Sequence, residues 1–166
     1  MKQIILFFLI LFVLPGCLKN EVTLDYTGIQ PIVLIPNANW PVKGYASQPE
    51  DSAAGTVQLN LYAKVSYEKP LDKNVLVKFT LDNALADAYN DQWGTAYRLL
   101  SADCYEVSSL DLVIPSGAQQ AILPITIISE KIDPQYDYIL PFTIAAADGN
   151  TVASNFKSMI FTLKGQ

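Results

Sequence analysis

Histidine is absent from all 166 residues, and cysteine occurs only twice, at positions 17 and 104. Without imidazole there is no histidine-dependent serine or cysteine hydrolase and no histidine-based zinc site, so acid–base work would fall to carboxylates, tyrosines and lysines. Basic residues are sparse as well: 11 Lys and Arg stand against 16 Asp and Glu, for a net charge of −5. The lysines are scattered rather than gathered in a stripe, which makes nucleic acid a poor partner and disfavours anionic lipid headgroups. The eight glycines are spread among turns and build no phosphate-cradling loop. Asp87, Asn90 and Asp91 offer oxygen atoms to calcium, but without the alternating ligands and turn glycine of an EF-hand they read as helix surface. No cofactor or metal is expected. Nowhere is there an apolar run of the ~20 residues that a spanning helix needs.

What is present begins with a leader. Met1-Lys2-Gln3 carries one positive charge, Ile4 to Leu14 is unbroken apolar sequence of signal-peptide length, and Pro15-Gly16 precedes the first cysteine. Leu14-Pro15-Gly16-Cys17 resembles a lipobox, although Pro15 stands where a small or β-branched residue is usual. The resemblance implies cleavage before Cys17, with diacylation of the thiol and acylation of the new amine. An ordinary signal peptide with a free cysteine is the alternative, but a lone thiol just after an apolar leader has little other use in an oxidising compartment. The expected division is therefore residues 1–16 as leader, 17–29 as acylated cysteine and tether, and 30–166 as one domain. Losing Lys2 with the leader makes the mature chain more acidic still. Cys104, left without a disulfide partner, reads as a small core residue.

Beyond the tether the dominant signal is alternation. Val57, Leu59, Leu61, Ala63, Val65 and Tyr67 alternate with polar residues over Thr56 to Tyr67, and Val75, Val77, Phe79 and Leu81 repeat the pattern over Asn74 to Asp82. The break containing Pro70, Asp72 and Asn74 suggests that these two strands pair as neighbours. Asn83 to Asn90 is rich in helix formers and predicts one short helix, capped by Asp82 or Asn83. Short strands follow over Ala96–Leu100, Cys104–Val107, Leu110–Ile114, Gln119–Ser129, Tyr138–Ala146 and Ser158–Lys164, with Pro124 placing its strand at an edge or a bulge. Pro31 to Pro36 suits a strand end, and Asn37 to Ser52 a surface loop. Many short strands with one helix define an all-β, immunoglobulin-like antiparallel sandwich.

A second resemblance extends across nearly the whole mature chain. Leu81-Asp82-Asn83, Ala88-Tyr89-Asn90, Tyr97-Arg98-Leu99-Leu100, Cys104-Tyr105, Val113 to Gly117 and Tyr138 to Phe142, in that order and spacing, resemble an N-terminal domain of unknown function of Bacteroidota surface lipoproteins. Such domains precede glycan-handling parts, among them glycoside hydrolases of family eighteen. The resemblance implies a sandwich, glycan-utilisation surroundings and outer-membrane delivery. Leu18 is not the aspartate associated with inner-membrane retention, and Lys19-Asn20-Glu21 partly resembles an acidic surface-export signal. Asp51-Ser52-Ala53 resembles a short O-glycosylation motif of the same bacteria.

The acids are dispersed as Glu50-Asp51, Asp87 with Asp91, and Asp133 with Asp137, in segments that read as solvated turns or helix surface, so no catalytic residue is assigned. The candidate ligand-binding residues are aromatic, because sugar faces stack on flat rings. Trp40 and Trp93 lie in polar connections with no periodic place in the core, and Tyr62 lies on the wet face of its strand; the competing reading is that each tryptophan plugs one end of the sandwich. Three function classes follow: a glycan-binding or accessory lipoprotein, a structural or assembly component docking another surface protein, and, third, a carboxylate-only hydrolase. The expected partners are a membrane through the lipid anchor and a glycan or a second surface protein.

Overall fold

The structure, a computed structural model, describes residues 25–41 and 58–164. The leader, Cys17, most of the tether, the Lys19-Asn20-Glu21 signal, Glu50, and the Asp51-Ser52-Ala53 motif lie outside the described residues.

Among the described residues ten strands form two sheets. In chain order they are β1 (Ile32–Leu34), β2 (Gln58–Ser66), β3 (Val75–Leu81), β4 (Arg98–Leu99), β5 (Tyr105–Glu106), β6 (Asp111–Ile114), β7 (Gln120–Ile127), β8 (Tyr138–Ala147), β9 (Thr151–Val152) and β10 (Ser158–Leu163), with one α-helix, α1 (Ala84–Trp93), between β3 and β4. One sheet runs β5-β7-β2-β1-β9 and the other β10-β8-β3-β6, with β4 added beside β8. The pairings are antiparallel except for two short parallel ones, β1 with β9 and β4 with β8. Among the described residues the result is an all-β sandwich with a single short α-helix.

The alternating residues turn inward as their spacing requires. Leu59, Leu61, Ala63 and Val65 of β2 meet Val75, Val77 and Phe79 of β3 in one core, with Leu140, Phe142 and Ile144 of β8 and Leu123, Ile125 and Ile127 of β7. Leu81 departs from its inward expectation: it ends β3 and is 37% exposed. The expected pairing of β2 with β3 is also overturned. β2 pairs with β1 and β7, β3 with β6 and β8, so the chain crosses between sheets at residues 67–74. It crosses again between β6 and β7, where Ser116 N–H donates to Asn74 Oδ1 (2.9 Å) and Gly117 N–H to the Leu71 carbonyl (2.8 Å). The Asp148-Gly149-Asn150 turn likewise delivers the chain from β8 to β9 in the opposite sheet; Asp148 and Gly149 both take positive φ, 47° and 75°. Pro124 sits where expected. β5 reaches only Thr126 and Ile127, so the Pro124 stretch of β7 is an open edge.

β8 is buried on both faces from Tyr138 to Ile144. Its inner residues join the main core, while Ile139, with Ile160 of β10, joins a second cluster on the outer face with Ala86, Tyr89 and Tyr97. The helix α1 supplies the cover. It begins and ends one and three residues later than expected, and neither Asp82 nor Asn83 caps it as expected. Asn83 makes no capping side-chain bond, and the Asp82 carboxylate instead accepts from Thr143 Oγ1 (3.1 Å), which shares a 2.8 Å bond with Ser158 Oγ. At the far end Gly94, at φ 63°, adopts the left-handed turn and returns its N–H to the Asn90 carbonyl.

The open edge of β10 is closed by Asn39. Its Nδ2 donates to the Ile160 carbonyl and its Oδ1 accepts from Ile160 N–H, both at 2.8 Å, so one amide side chain does the work of a strand residue. Trp40 continues the cover as an antiparallel bridge to Ser158. Asn39→Ala leaves the Ile160 backbone groups partly buried and without these partners, and is expected to lower the unfolding free energy by about 1–3 kcal/mol in urea denaturation.

Candidate functional site

Neither tryptophan stands free on the surface. Trp93 is the last residue of α1 rather than part of a polar connection, and both rings are half-buried against the second cluster. Trp40 lies 6.1 Å, centroid to centroid, from Tyr89, which in turn meets Tyr97 edge-on at 5.8 Å. The structure thus gathers Trp40 and Trp93 around one packed aromatic group. Tyr62 is in the opposite sheet, where it borders a shallow depression of about 270 Å3 with Pro36, Asn37 and Gln120.

The better-formed concavity lies at one end of the sandwich, where α1 hands over to β4, β8 begins and β10 ends. Its volume is about 370 Å3, and its lining comes from three segments: Thr95 to Tyr97, Gln135 to Asp137, and Lys164. Small-molecule sites occupy roughly 300–1,000 Å3. Each segment is held by short bonds. Asn90 of α1 staples the first: its Nδ2 donates to the Tyr97 carbonyl (2.9 Å), while its Oδ1 accepts from Thr95 Oγ1 (2.8 Å) and Tyr97 N–H (3.0 Å). In the second, Gln135 N–H donates to Asp133 Oδ1 (3.0 Å), and Arg98 N–H ties the Asp137 carbonyl to β4 (2.9 Å). The third segment follows directly from β10.

The polar groups converge with the rings. Lys164 Nζ lies 2.8 Å from Asp137 Oδ2 and 5.5 Å from the Tyr97 ring centre. The Arg98 guanidinium rests 3.2 Å over Tyr136, which rigidifies that ring at the rim. The lysine and aspartate side chains are 53% and 40% exposed, so their pairing is worth only about 0–1 kcal/mol. Sequence reasoning passed over this site because its residues come from three loops with no periodicity. The faint signal was the Tyr97-Arg98 and Tyr136-Asp137 juxtapositions of ring and charge.

Among the described residues there is no group of three or more His, Cys, Asp or Glu side chains placed to hold a metal ion, and no helix long and apolar enough to cross a membrane. Cys104 is 6% exposed at the end of a short 3-10 turn rather than in a strand as expected, and its thiol contacts the Lys131 carbonyl at 3.4 Å. Burial, with the neighbouring Asp103 carboxylate, pushes its pKa up. The thiol therefore stays protonated through neutral pH and is expected to resist Ellman's reagent in the native protein, reacting only once denaturant opens the core.

The fold defines a class, a β-sandwich domain. Residues 29–151 match a family model for a "-like, N-terminal domain", and the chain belongs to that family. No curated protein matches the chain. Among solved structures, the fold is similar to that of a candidate carbohydrate binding protein of Bacteroides ovatus: TM-score 0.58 and 18% identity, over 80% of this chain and 36% of that one. It is also similar to a multidomain protein of Bacteroides ovatus that includes a domain of unknown function, with TM-score 0.54 and 19% identity over 81% and 44% of the two chains. A third likeness is to EndoBT-3987 of Bacteroides thetaiotaomicron, solved with a Man5GlcNAc product: TM-score 0.52 and 19% identity, over 65% of this chain and 26% of that one. The chain spans well under two thirds of each of these structures.

Proposed function

We propose that the chain is an exported lipoprotein, anchored in the outer membrane through acylated Cys17, whose sandwich is a non-catalytic accessory module for handling surface glycans. The observation that carries this reading is the match of residues 29–151 to a family of N-terminal domains, whose fold recurs over most of this chain in a candidate carbohydrate binding protein and, over a smaller part, in EndoBT-3987. The pocket supports the non-catalytic part. Glycoside hydrolysis generally uses two carboxylates that flank the scissile bond, and among the described residues the pocket is lined by one, Asp137, paired with Lys164.

The test is calorimetric titration of the soluble chain from Leu18 onward with a panel of polysaccharides; all ten strands and both core clusters lie downstream of that start. Saturable binding without release of reducing ends is expected. Absence of binding across the panel would overturn the glycan part of the reading, and release of reducing sugar the non-catalytic part.

A second reading, docking of another surface protein, is favoured by one feature. β6 ends its sheet, and Val113 on it is 46% exposed, an edge suited to strand addition. Val113→Pro would remove an edge N–H and weaken such a complex while leaving glycan binding unchanged.

A further inference from the structure

We infer that the outer face of the sheet formed by β1, β2 and β7, centred on Tyr62, is a platform for a neutral polysaccharide chain; this rests on the glycan reading above and gives it a place in the molecule. Charge is missing from this face. The chain has 16 Asp and Glu against 11 Lys and Arg, yet the outward positions of β1, β2 and β7 hold no acid and one base, Lys64. Among the strands of this sheet the one acid is Glu106, on the short edge strand β5. Ring, aliphatic carbon and amide stand in place of charge. Tyr62 lies directly across from Ile122, which is 47% exposed, and Asn60 across from Pro124; side chains so opposed are about 4.5–5.5 Å apart. On its other side Tyr62 borders the depression of about 270 Å3 with Pro36, Asn37 and Gln120.

A sugar presents apolar C–H groups on its faces and hydroxyls around its rim, and this surface offers a counterpart to both. Tyr62, Ile122 and Pro36 give an apolar centre for the C–H faces. Asn37, Asn60 and Gln120 stand around it, and each primary amide offers two donors and two acceptor lone pairs to hydroxyls. Elsewhere the fold consumes its amides: Asn39 closes the β10 edge and Asn90 staples the segment after α1. Among the described residues, by contrast, no side-chain hydrogen bond engages Asn37, Asn60, Tyr62 or Gln120. A depression below the roughly 300 Å3 at which small-molecule sites begin suits the face of a chain rather than an enclosed terminal sugar. The platform is also open on the β7 side, where β5 reaches only Thr126 and Ile127, so a chain can cross the strands and run on past Ile122 and Pro124. Charge complementarity selects the class of chain. A polyanion would meet a single lysine in a protein of net −5, whereas a neutral chain buries no acid beneath it and leaves no carboxylate desolvated without a partner.

The experiment titrates the same soluble chain with α-mannan, mixed-linkage β-glucan and galactan as neutral probes and polygalacturonate as the acidic one. The best case is repeated with Tyr62→Ala, Tyr62→Phe, Ile122→Glu and, in the end pocket, Tyr136→Ala. Tyr62→Ala and Ile122→Glu are expected to weaken binding about tenfold or more, Tyr62→Phe to keep it because the ring does the stacking, and Tyr136→Ala to leave it unchanged. Tyr62 and Ile122 both point outward and are at least partly exposed, and a melting curve for each variant verifies that the fold persists. In the wild-type chain, NMR with an oligosaccharide cut from the preferred polysaccharide should shift the 60–62 and 120–123 amides, a readout that needs no variant to fold. Binding that survives both Tyr62→Ala and Ile122→Glu, or that Tyr136→Ala abolishes, would overturn the platform and leave the glycan reading standing. Tighter binding of polygalacturonate would overturn the neutral class. A wild-type dimer in sedimentation velocity that Ile122→Glu dissociates would assign the face to a second copy of the chain and overturn it as a glycan site. No wild-type binding to any of the four polysaccharides would overturn both readings.

Discussion

Tyr89→Ala is expected to lower the unfolding free energy by about 3–5 kcal/mol, the range typical for removing a large buried aromatic side chain. The residue is 0% exposed and joins three parts of the molecule that lie far apart along the chain. Its ring meets Trp40 from the β1–β2 connection and Tyr97 from the segment after α1, and its cluster includes Ile139 and Ile160 of the outer sheet face. Truncation leaves a cavity that none of these neighbours can fill without moving, because α1 is tied at its end by the Asn90 staple and Trp40 by its bridge to Ser158. For a domain of this size the loss corresponds to a fall in melting temperature of roughly 10 °C or more. Urea denaturation followed by tryptophan fluorescence reads the effect directly, since Trp40 meets the ring and Trp93 packs against the same cluster. A change under 1 kcal/mol would show that α1 is a detachable cover. The same substitution loosens Tyr97, so it should also weaken any ligand held in the end pocket, although Tyr89 does not line it.

That linkage explains what was legible in the sequence and what was not. The facing of residues was legible: period-two alternation over β2 and β3 places Leu59, Leu61, Val75 and Val77 in the core because a pleated strand leaves no other choice. Pairing was not. Alternation says which way a side chain points and nothing about which strand lies alongside, so β2 and β3 read as a hairpin when they face each other across the sandwich. Among the described residues β1 and β2 are the only strands following one another that also pair, which defeats inference from proximity along the chain. The helix was legible from Ala84 to Asn90, and its true end at Trp93 was hidden because Asn90 and Asp91 carry weak helix preference that packing of Tyr89 and Trp93 in the second cluster overrides.

The aromatic candidates illustrate the same limit. Trp40 and Trp93 fall outside any alternating run and so read either as ligand-binding surface rings or as plugs at the ends of the sandwich; a sheet with an apolar outer patch at Ile139 and Ile160 needs a cover, and they contribute to it. The sequence carries no sign of that need, because β8 looks apolar on both faces whether its outer face meets a helix or a partner. The end pocket was illegible for a different reason: Tyr97, Asp137 and Lys164 are brought together only by the parallel pairing of β4 with the start of β8 and by the end of β10 beside it.

Cys17→Ser should abolish lipid labelling and leave the leader uncut, so that the variant carries residues 1–16 and takes up no alkyne-palmitate. The wild-type chain should begin at Cys17, carry label, and stay with membranes through a carbonate wash. The size of the difference follows from the energetics of anchoring. A single acyl chain gives only marginal, reversible attachment, at about 0.8 kcal/mol per buried CH2, and two membrane signals suffice for stable anchoring, so three chains on one residue make release negligible. Charge offers no substitute, because an acidic chain of net −5 is repelled by anionic headgroups. Nor does the other thiol: Cys104 is enclosed in the core and held protonated, so it cannot take over the label while the domain is folded. Mass spectrometry of the purified N-terminus separates the cases. Label retained in Cys17→Ser, or a wild-type N-terminus at any other residue, would remove the anchor from the proposed function and leave the sandwich and its end pocket untouched.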